Sequence, residues 1–207
     1  FLRQPDKPII LAIARPVHKK NLPALIDLYA ANIALRDAAN LVIVAGLRDG
    51  PDSGESEQRA VIRALLDRMD AHGLYGSLAL PKRHDQDDIA SYYALARESG
   101  GVFVNPALTE PYGLTLTEAA HHGVPVVATT HGGAADIVAE LGHGRTADPR
   151  NHAAFGATIA DLLSDPEARE TAAQTGRERA KAYTWHAYAA EFVTIASAIR
   201  TARLRPA

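Results

Sequence analysis

Short apolar runs alternate with longer segments of helical spacing along the first two thirds of the chain. Each run is bounded by glycine, proline or a polar residue, which is typical of buried strands in an α/β protein. The predicted strands are Pro8–Ala14, Leu41–Ala45, Ser77–Leu80, Val102–Val104 and Val124–Ala128, with a weaker sixth at Arg145–Ala147.

Between these runs, apolar residues recur at the spacing of helices with one buried face. The predicted helices are one that Asn21 caps and that runs to about Leu35, then Glu57–His72, Asp87–Arg97, one that begins at Gly113, and Ala134–Leu141. The glycine- and proline-containing stretch Arg48–Ser56 predicts a loop, and Asn151–Leu163, Pro166–Ala182 and His186–Arg203 predict three closing helices. Strands that alternate with helices indicate a single Rossmann-like, doubly wound parallel sheet of the α/β class.

Composition narrows the function classes. With 207 residues the chain is long enough for one domain with its own core, and its net charge of -2 does not favour a nucleic-acid or anionic membrane partner. Cysteine is absent, which excludes disulfides and thiolate metal sites and fits a cytoplasmic protein. No apolar run reaches the length of a membrane helix, and the first residues lack a signal-peptide pattern. The nine histidines lack the spacing of a metal motif, so we expect no metal site.

The segment from Gly101 to Ile137 carries the most specific chemistry. It predicts a strand, a loop, a helix that begins at Gly113, a second strand and a glycine turn. Glu110 lies on the loop and Glu118 lies on the helix, with seven residues between them. A helix N-terminus offers free N–H groups to phosphates, and the carboxylates accept hydrogen bonds from hydroxyls. Together they favour a sugar nucleotide as the ligand.

A basic loop follows the first predicted strand. Arg15 and Lys20 lie at the carboxyl end of that strand, where open α/β sheets bind ligands, and two cations there could neutralise a diphosphate. By spacing alone, the neighbouring His18 and Lys19 also fit a plain solvated basic loop.

Two sequence segments carry a family resemblance. The segment NPALTEPYGLTLTEAAHHGVPVVATTHGGAADI resembles the donor-binding domain of retaining glycosyltransferases with two Rossmann domains, and IARPVHKKNLPALIDLY is similar to their first strand, loop and helix. Within that group, the residues that flank the glutamate pair look most like those of sucrose-phosphate synthases. The resemblance runs from Pro8 to about Phe192, and it implies the C-terminal half of a GT-B fold.

The resemblance also implies roles for individual residues. Arg15 and Lys20 would hold the leaving nucleoside diphosphate, and Glu110 would bind hydroxyls of the transferred sugar; these three are the predicted catalytic residues. Glu118 would bind the ribose. The backbone of Gly113, Leu114 and Thr115, at the helix start, would contact phosphate or sugar. Lys82 and His84, in the loop after the third strand, would cradle the base. By its residues alone, the 81–84 loop fits a solvated charge run equally well.

The predicted reaction transfers glucose from UDP-glucose or ADP-glucose to fructose 6-phosphate and yields sucrose 6-phosphate, with no further cofactor. Residues 1–182 would bind the nucleotide sugar, and 183–207 would form a helix that crosses to an N-terminal domain. Fructose 6-phosphate would bind to that domain, which these residues lack, so we expect little turnover by this chain alone. The alternatives are a non-catalytic nucleotide-sugar binding module, a sucrose synthase, or a synthase of another phosphorylated disaccharide.

Overall fold

The fold is known from a computed structural model that describes residues 2–46, 50 and 52–203; the side chains of Trp185 and of residues 201–203 lie outside that description. Three residues of the predicted 48–56 loop (48, 49 and 51) and the end of the predicted C-terminal segment, 204–207, fall outside it.

Six strands form one sheet in the described chain. They are β1 (Ile9–Ile13), β2 (Asn40–Val44), β3 (Leu78–Ala79), β4 (Val102–Asn105), β5 (Val126–Thr129) and β6 (Gly144–Ala147). Their order is β3-β2-β1-β4-β5-β6, and every neighbouring pair is parallel. The weakly predicted last strand pairs with β5 over its whole length. The predicted doubly wound α/β fold is confirmed.

Helices follow the strands as the periodicity predicted. A 3₁₀ turn at His18–Lys20 precedes α1, and the helices are α1 (Leu22–Ala31), α2 (Ile33–Ala38), α3 (Ser56–Ala71), α4 (Gln86–Glu98), α5 (Leu114–His122), α6 (Ala134–Leu141), α7 (His152–Leu163), α8 (Pro166–Ala180) and α9 (Trp185–Arg203). Among the described residues, no helix combines the length and apolar character that crossing a membrane requires.

The core lies on both faces of the sheet because alternate strand residues point to opposite sides. On β1, Ile10 and Ala12 pack into the layer that contains α1, α3 and α7. Ile9 and Leu11 pack into the opposite layer, which contains α4, α5 and α6. Strands buried on both faces read as continuous apolar runs, which is why the sequence pattern identified them.

The prediction of one helix from Asn21 to Leu35 was wrong in two respects. Asn32 is extended at φ -103°, and its side chain accepts a hydrogen bond from the backbone N–H of Leu35, so it caps a separate helix, α2. Asn21 occupies the position before α1, but its side chain makes no capping hydrogen bond. Its backbone is left-handed at φ 56°, a conformation that asparagine tolerates better than most residues.

Candidate functional site

Two loops at the carboxyl edge of the sheet lie against each other. One follows β1 and contains the basic residues, and the other follows β4 and contains Glu110. The backbone N–H of Leu108 donates to the carbonyl oxygen of Lys19 at 2.9 Å. This hydrogen bond joins the loops and brings Lys20 to the first carboxylate.

Lys20 and Glu110 form an ion pair at this junction. Glu110 is only 6% exposed, and its Oε2 also accepts a hydrogen bond from Nδ2 of Asn105 at 3.0 Å. Burial alone would raise the pKa of Glu110, but the hydrogen bonds from Lys20 and Asn105 and the Lys20 charge outweigh burial and lower that pKa. The carboxylate is therefore ionised at neutral pH and can only accept hydrogen bonds.

The glycine turn after β5 packs directly on the Glu110 loop. The backbone N–H of Glu110 donates to the carbonyl oxygen of His131 at 3.0 Å. A β-carbon on Gly132 would come within 2.3 Å of the Glu110 carbonyl oxygen, and one on Gly133 within 2.5 Å of the Pro111 carbonyl oxygen. Gly132 also has φ +86°, so a side chain there is excluded both by space and by conformation.

Helix α5 begins beside this junction. Gly113 precedes it with φ 100°, and Leu116 and Thr117 are the first residues whose N–H groups reach the Gly113 carbonyl oxygen. The backbone N–H groups of Leu114 and Thr115 precede that first helical bond, as at any helix start. They are available to a phosphate or a sugar oxygen, which the positive end of the helix dipole attracts.

Glu118 lies on the exposed side of α5 and is held by a buried tyrosine. The hydroxyl of Tyr93, on α4, lies 3.1 Å from Oε2 of Glu118 and 3.1 Å from the carbonyl oxygen of Thr115. Tyr93 is fully buried, and burial together with the Glu118 charge raises its pKa, so the hydroxyl keeps its proton and donates. The Tyr93 ring also stacks on His122 with a centroid distance of 5.1 Å. One side chain thus connects the helix start and the second glutamate.

The side chains of three predicted site residues form no hydrogen bond or ion pair with either glutamate in the described structure. Arg15 and Lys82 are exposed, and Nδ1 of the His84 ring lies 3.4 Å from the carbonyl oxygen of Asp85. Within the described chain no hydrogen bond or ion pair joins these side chains to Glu110 or Glu118. Their places in the loops after β1 and β3 are those that the sequence predicted, and their roles stay predictions.

Sequence reasoning missed Asn105 and Tyr93, the side chains that hold the two glutamates. It also missed a pair at the ends of β5 and β6, where Nε2 of His131 lies 3.0 Å from Oδ1 of Asp148. The backbone N–H of Arg150 and the contact with His131 lower the pKa of Asp148. The position of Asn105 at the end of a predicted strand was a usable signal, whereas Tyr93 lay inside an ordinary helical pattern. In the described residues no group of three or more metal-ligating side chains converges.

Known proteins are similar to this chain in sequence and in fold. A family model for glycosyl transferases group 1 matches residues 1–179. The chain is 39% identical to a sucrose-phosphate synthase of Zea mays over 94% of its length, and 40% identical to sucrose-phosphate synthase 1 of Arabidopsis thaliana over 89%. It spans only 18% of either relative.

The solved structure of a sucrose-phosphate synthase from Thermosynechococcus elongatus superposes with a TM-score of 0.79 at 27% identity. That match covers 96% of this chain and 47% of the other. An α,α-trehalose-phosphate synthase from Burkholderia vietnamiensis shares the fold with a TM-score of 0.77 at 14% identity, over 98% of this chain and 46% of that one. The chain therefore belongs to the group 1 glycosyltransferases, with the Rossmann-like sheet of the GT-B fold and sucrose-phosphate synthases among its relatives.

Proposed function

We propose that this chain binds a nucleoside-diphosphate glucose and forms the donor half of a retaining glycosyltransferase that makes sucrose 6-phosphate. One observation carries the proposal: an ionised, buried Glu110, the ammonium of Lys20 and the start of α5 meet at the carboxyl edge of the sheet. A sugar nucleotide presents hydroxyls and phosphates side by side. The Glu110 carboxylate would accept hydrogen bonds from the hydroxyls, and Lys20 and the start of α5 would donate to the phosphates.

The residues divide the work of the reaction. Cleavage of the sugar–diphosphate bond builds negative charge on the diphosphate, and Lys20, Arg15 and the N–H groups at the start of α5 would stabilise that charge. Glu110 would hold hydroxyls of the sugar, and Glu118 would hold the ribose. The leaving phosphate would help deprotonate the acceptor on the same face of the sugar, which retains configuration and needs no protein nucleophile. The carboxylates are thus orienting groups and not the acid and base of a hydrolase.

The acceptor would bind outside these residues. We propose that 1–182 form the donor domain and that the segment 183–207, which contains α9, crosses to a preceding domain, which would bind fructose 6-phosphate. Helix α9 supports this because large apolar side chains remain more than half exposed on it: Tyr188, Phe192, Val193, Ile195 and Ile199. The chain alone should then form little or no sucrose 6-phosphate, and a clear rate of its formation would refute this division. A cytoplasmic location remains the expectation from composition.

Calorimetric titration tests the binding proposal. The chain is titrated with UDP, ADP and GDP and with the glucose conjugate of whichever nucleotide binds. Lys20→Met should weaken diphosphate binding about ten- to hundredfold, the range expected for a lost charged hydrogen bond. The matched control is Lys19→Met, because the Lys19 side chain is exposed and only its backbone takes part in the loop contact. Equal losses in the two variants would contradict a specific phosphate site.

Two further variants separate the parts of the donor. Glu118→Ala should lower affinity for nucleoside and nucleoside diphosphate alike, whereas Arg15→Ala should lower affinity for the diphosphate far more than for the nucleoside. Unchanged binding in Glu118→Ala would contradict its ribose role. A chain that binds nucleotide sugar normally but never supports transfer when joined to a competent acceptor domain would instead be a non-catalytic binding module.

A further inference from the structure

Two side chains donate to the same oxygen of Glu110, and they differ in charge. Lys20 Nζ and Asn105 Nδ2 both contact Oε2, and the backbone of Tyr112 also hydrogen-bonds the carboxylate. Under the proposed function Lys20 has a second partner, because the donor diphosphate attracts the same ammonium. Asn105 is neutral and has no such competitor. The two donors therefore cannot be equivalent once a ligand arrives.

Asn105 is built into the rigid part of the fold. It is the last residue of β4, it is 6% exposed, and its backbone pairs with Ala128 in the parallel register of β5. Its Oδ1 accepts a hydrogen bond from the backbone N–H of Ala107 at 3.1 Å. Because an N–H group must face the amide oxygen, this bond assigns Oδ1 to the side of Ala107, so the NH₂ group points to Glu110.

We propose that Asn105 is a positioning residue that holds the Glu110 carboxylate in place while Lys20 engages the diphosphate of the donor. The inference rests on the proposed function. A buried carboxylate that lost the charge of Lys20 and kept no other side-chain donor would be strongly destabilised, and it would turn toward solvent or take up a proton. The amide of Asn105 prevents both without itself attracting phosphate. Its effect should therefore reach the sugar part of the ligand and spare the nucleoside diphosphate.

Asn105→Asp tests this selectivity by calorimetry. The variant keeps a similar volume and an oxygen for the Ala107 N–H, but it replaces the NH₂ donor with a carboxylate that repels Glu110. We expect affinity for the nucleoside-diphosphate glucose to fall about tenfold or more, as for a lost hydrogen bond to a charged group, with affinity for the nucleoside diphosphate within about twofold of the unmodified chain. Equal loss for both ligands, or no loss for either, would overturn the proposal.

Asn40→Asp is the matched control. Asn40 is a buried asparagine at the start of β2, at the opposite edge of the sheet, and its Nδ2 donates to the carbonyl oxygen of Gln4 at 2.8 Å. Its substitution introduces the same buried charge and the same lost donor away from the site. Both ligand affinities should stay unchanged in this variant; a loss matching that of Asn105→Asp would mean that the effect is structural.

A second measurement needs no ligand. Carbon-13 NMR of labelled glutamate side chains follows the titration of Glu110, and Asn105→Ala should raise its pKa because a donor to the ionised form is removed. Circular dichroism checks that the variant folds. An unshifted Glu110 pKa in folded Asn105→Ala would overturn the role of Asn105 alone, whereas an unmodified chain that binds no nucleoside diphosphate would refute the proposed function.

Discussion

Acidification should destabilise the fold through one buried histidine. His143 is fully buried between α5 and α8, and its Nε2 lies 3.0 Å from the carbonyl oxygen of Leu116, in the helix whose start forms the candidate site. The neutral ring must carry its proton on Nε2, because a carbonyl oxygen only accepts. In the described structure Nδ1 is buried without a partner. Protonation would add an N–H there with no acceptor, and burial lowers the pKa of His143 to about 4.

The sign and size of the effect follow from proton linkage. The unfolded histidine titrates near 6.5, so between about pH 6.5 and pH 4 the unfolded chain binds the proton and the folded chain does not. The neutral buried ring therefore contributes stability that is complete above the unfolded pKa and is lost as the pH falls toward the folded pKa. The interval from 6.5 to about 4 corresponds to about 3 kcal/mol at about 1.4 kcal/mol per pH unit.

Urea unfolding followed by circular dichroism measures this contribution. Other groups with lowered pKa values, Asp27 among them, also cost stability in acid, so the quantity of interest is the difference between the unmodified chain and His143→Gln. Relative to His143→Gln, the unmodified chain should lose about 3 kcal/mol of unfolding free energy between about pH 7.5 and pH 4. His152→Gln, at an exposed position, should follow the unmodified chain throughout. Parallel stability profiles for the unmodified chain and His143→Gln would refute the reasoning.

Three substitutions test contacts around the site, each by urea unfolding. Gly132→Ala places a β-carbon 2.3 Å from the carbonyl oxygen of Glu110 and should lower the free energy of unfolding by well over ~1 kcal/mol. Gly73→Ala is the control and should cost only ~1 kcal/mol, because Gly73 shares a positive φ but has open space around it. Equal costs would contradict the close packing. Tyr93→Phe removes only the hydroxyl that contacts α5 and Glu118, so it should lower the free energy of unfolding by about 1–2 kcal/mol and weaken nucleoside binding. Tyr92→Phe is the control. Identical behaviour of the two variants would exclude a role of the Tyr93 hydroxyl in holding Glu118. Asn32→Ala should cost about 1 kcal/mol through loss of the α2 cap, and no loss would mean that the cap contributes little.

Local patterns predicted much of the fold because its elements are regular and buried. The strands have two apolar faces, and each helix has one, so their positions could be read from spacing with errors of a few residues at the ends. The start of α5 beside Gly113 was also predicted from the glycine and the apolar spacing that follows it. The pattern failed at Asn32, where apolar spacing continues across a break. There a side-chain oxygen competes with the helical hydrogen bonds, and periodicity does not report that competition.

The sequence by itself determined the chemistry at the carboxyl edge: two cations after the first strand, and two carboxylates around a helix start. Only the tertiary structure decided which of these groups meet. Lys20 and Glu110 are 90 residues apart, and Tyr93 and Glu118 are 25 apart, so their contacts depend on parallel strands that bring distant loops to one edge. Tyr93 is a partner of this distant kind, whereas Asn105 is only five residues from Glu110 and its place at the end of a strand was a local signal. Burial and contacts between distant segments are properties of the packed chain, which no local spacing encodes.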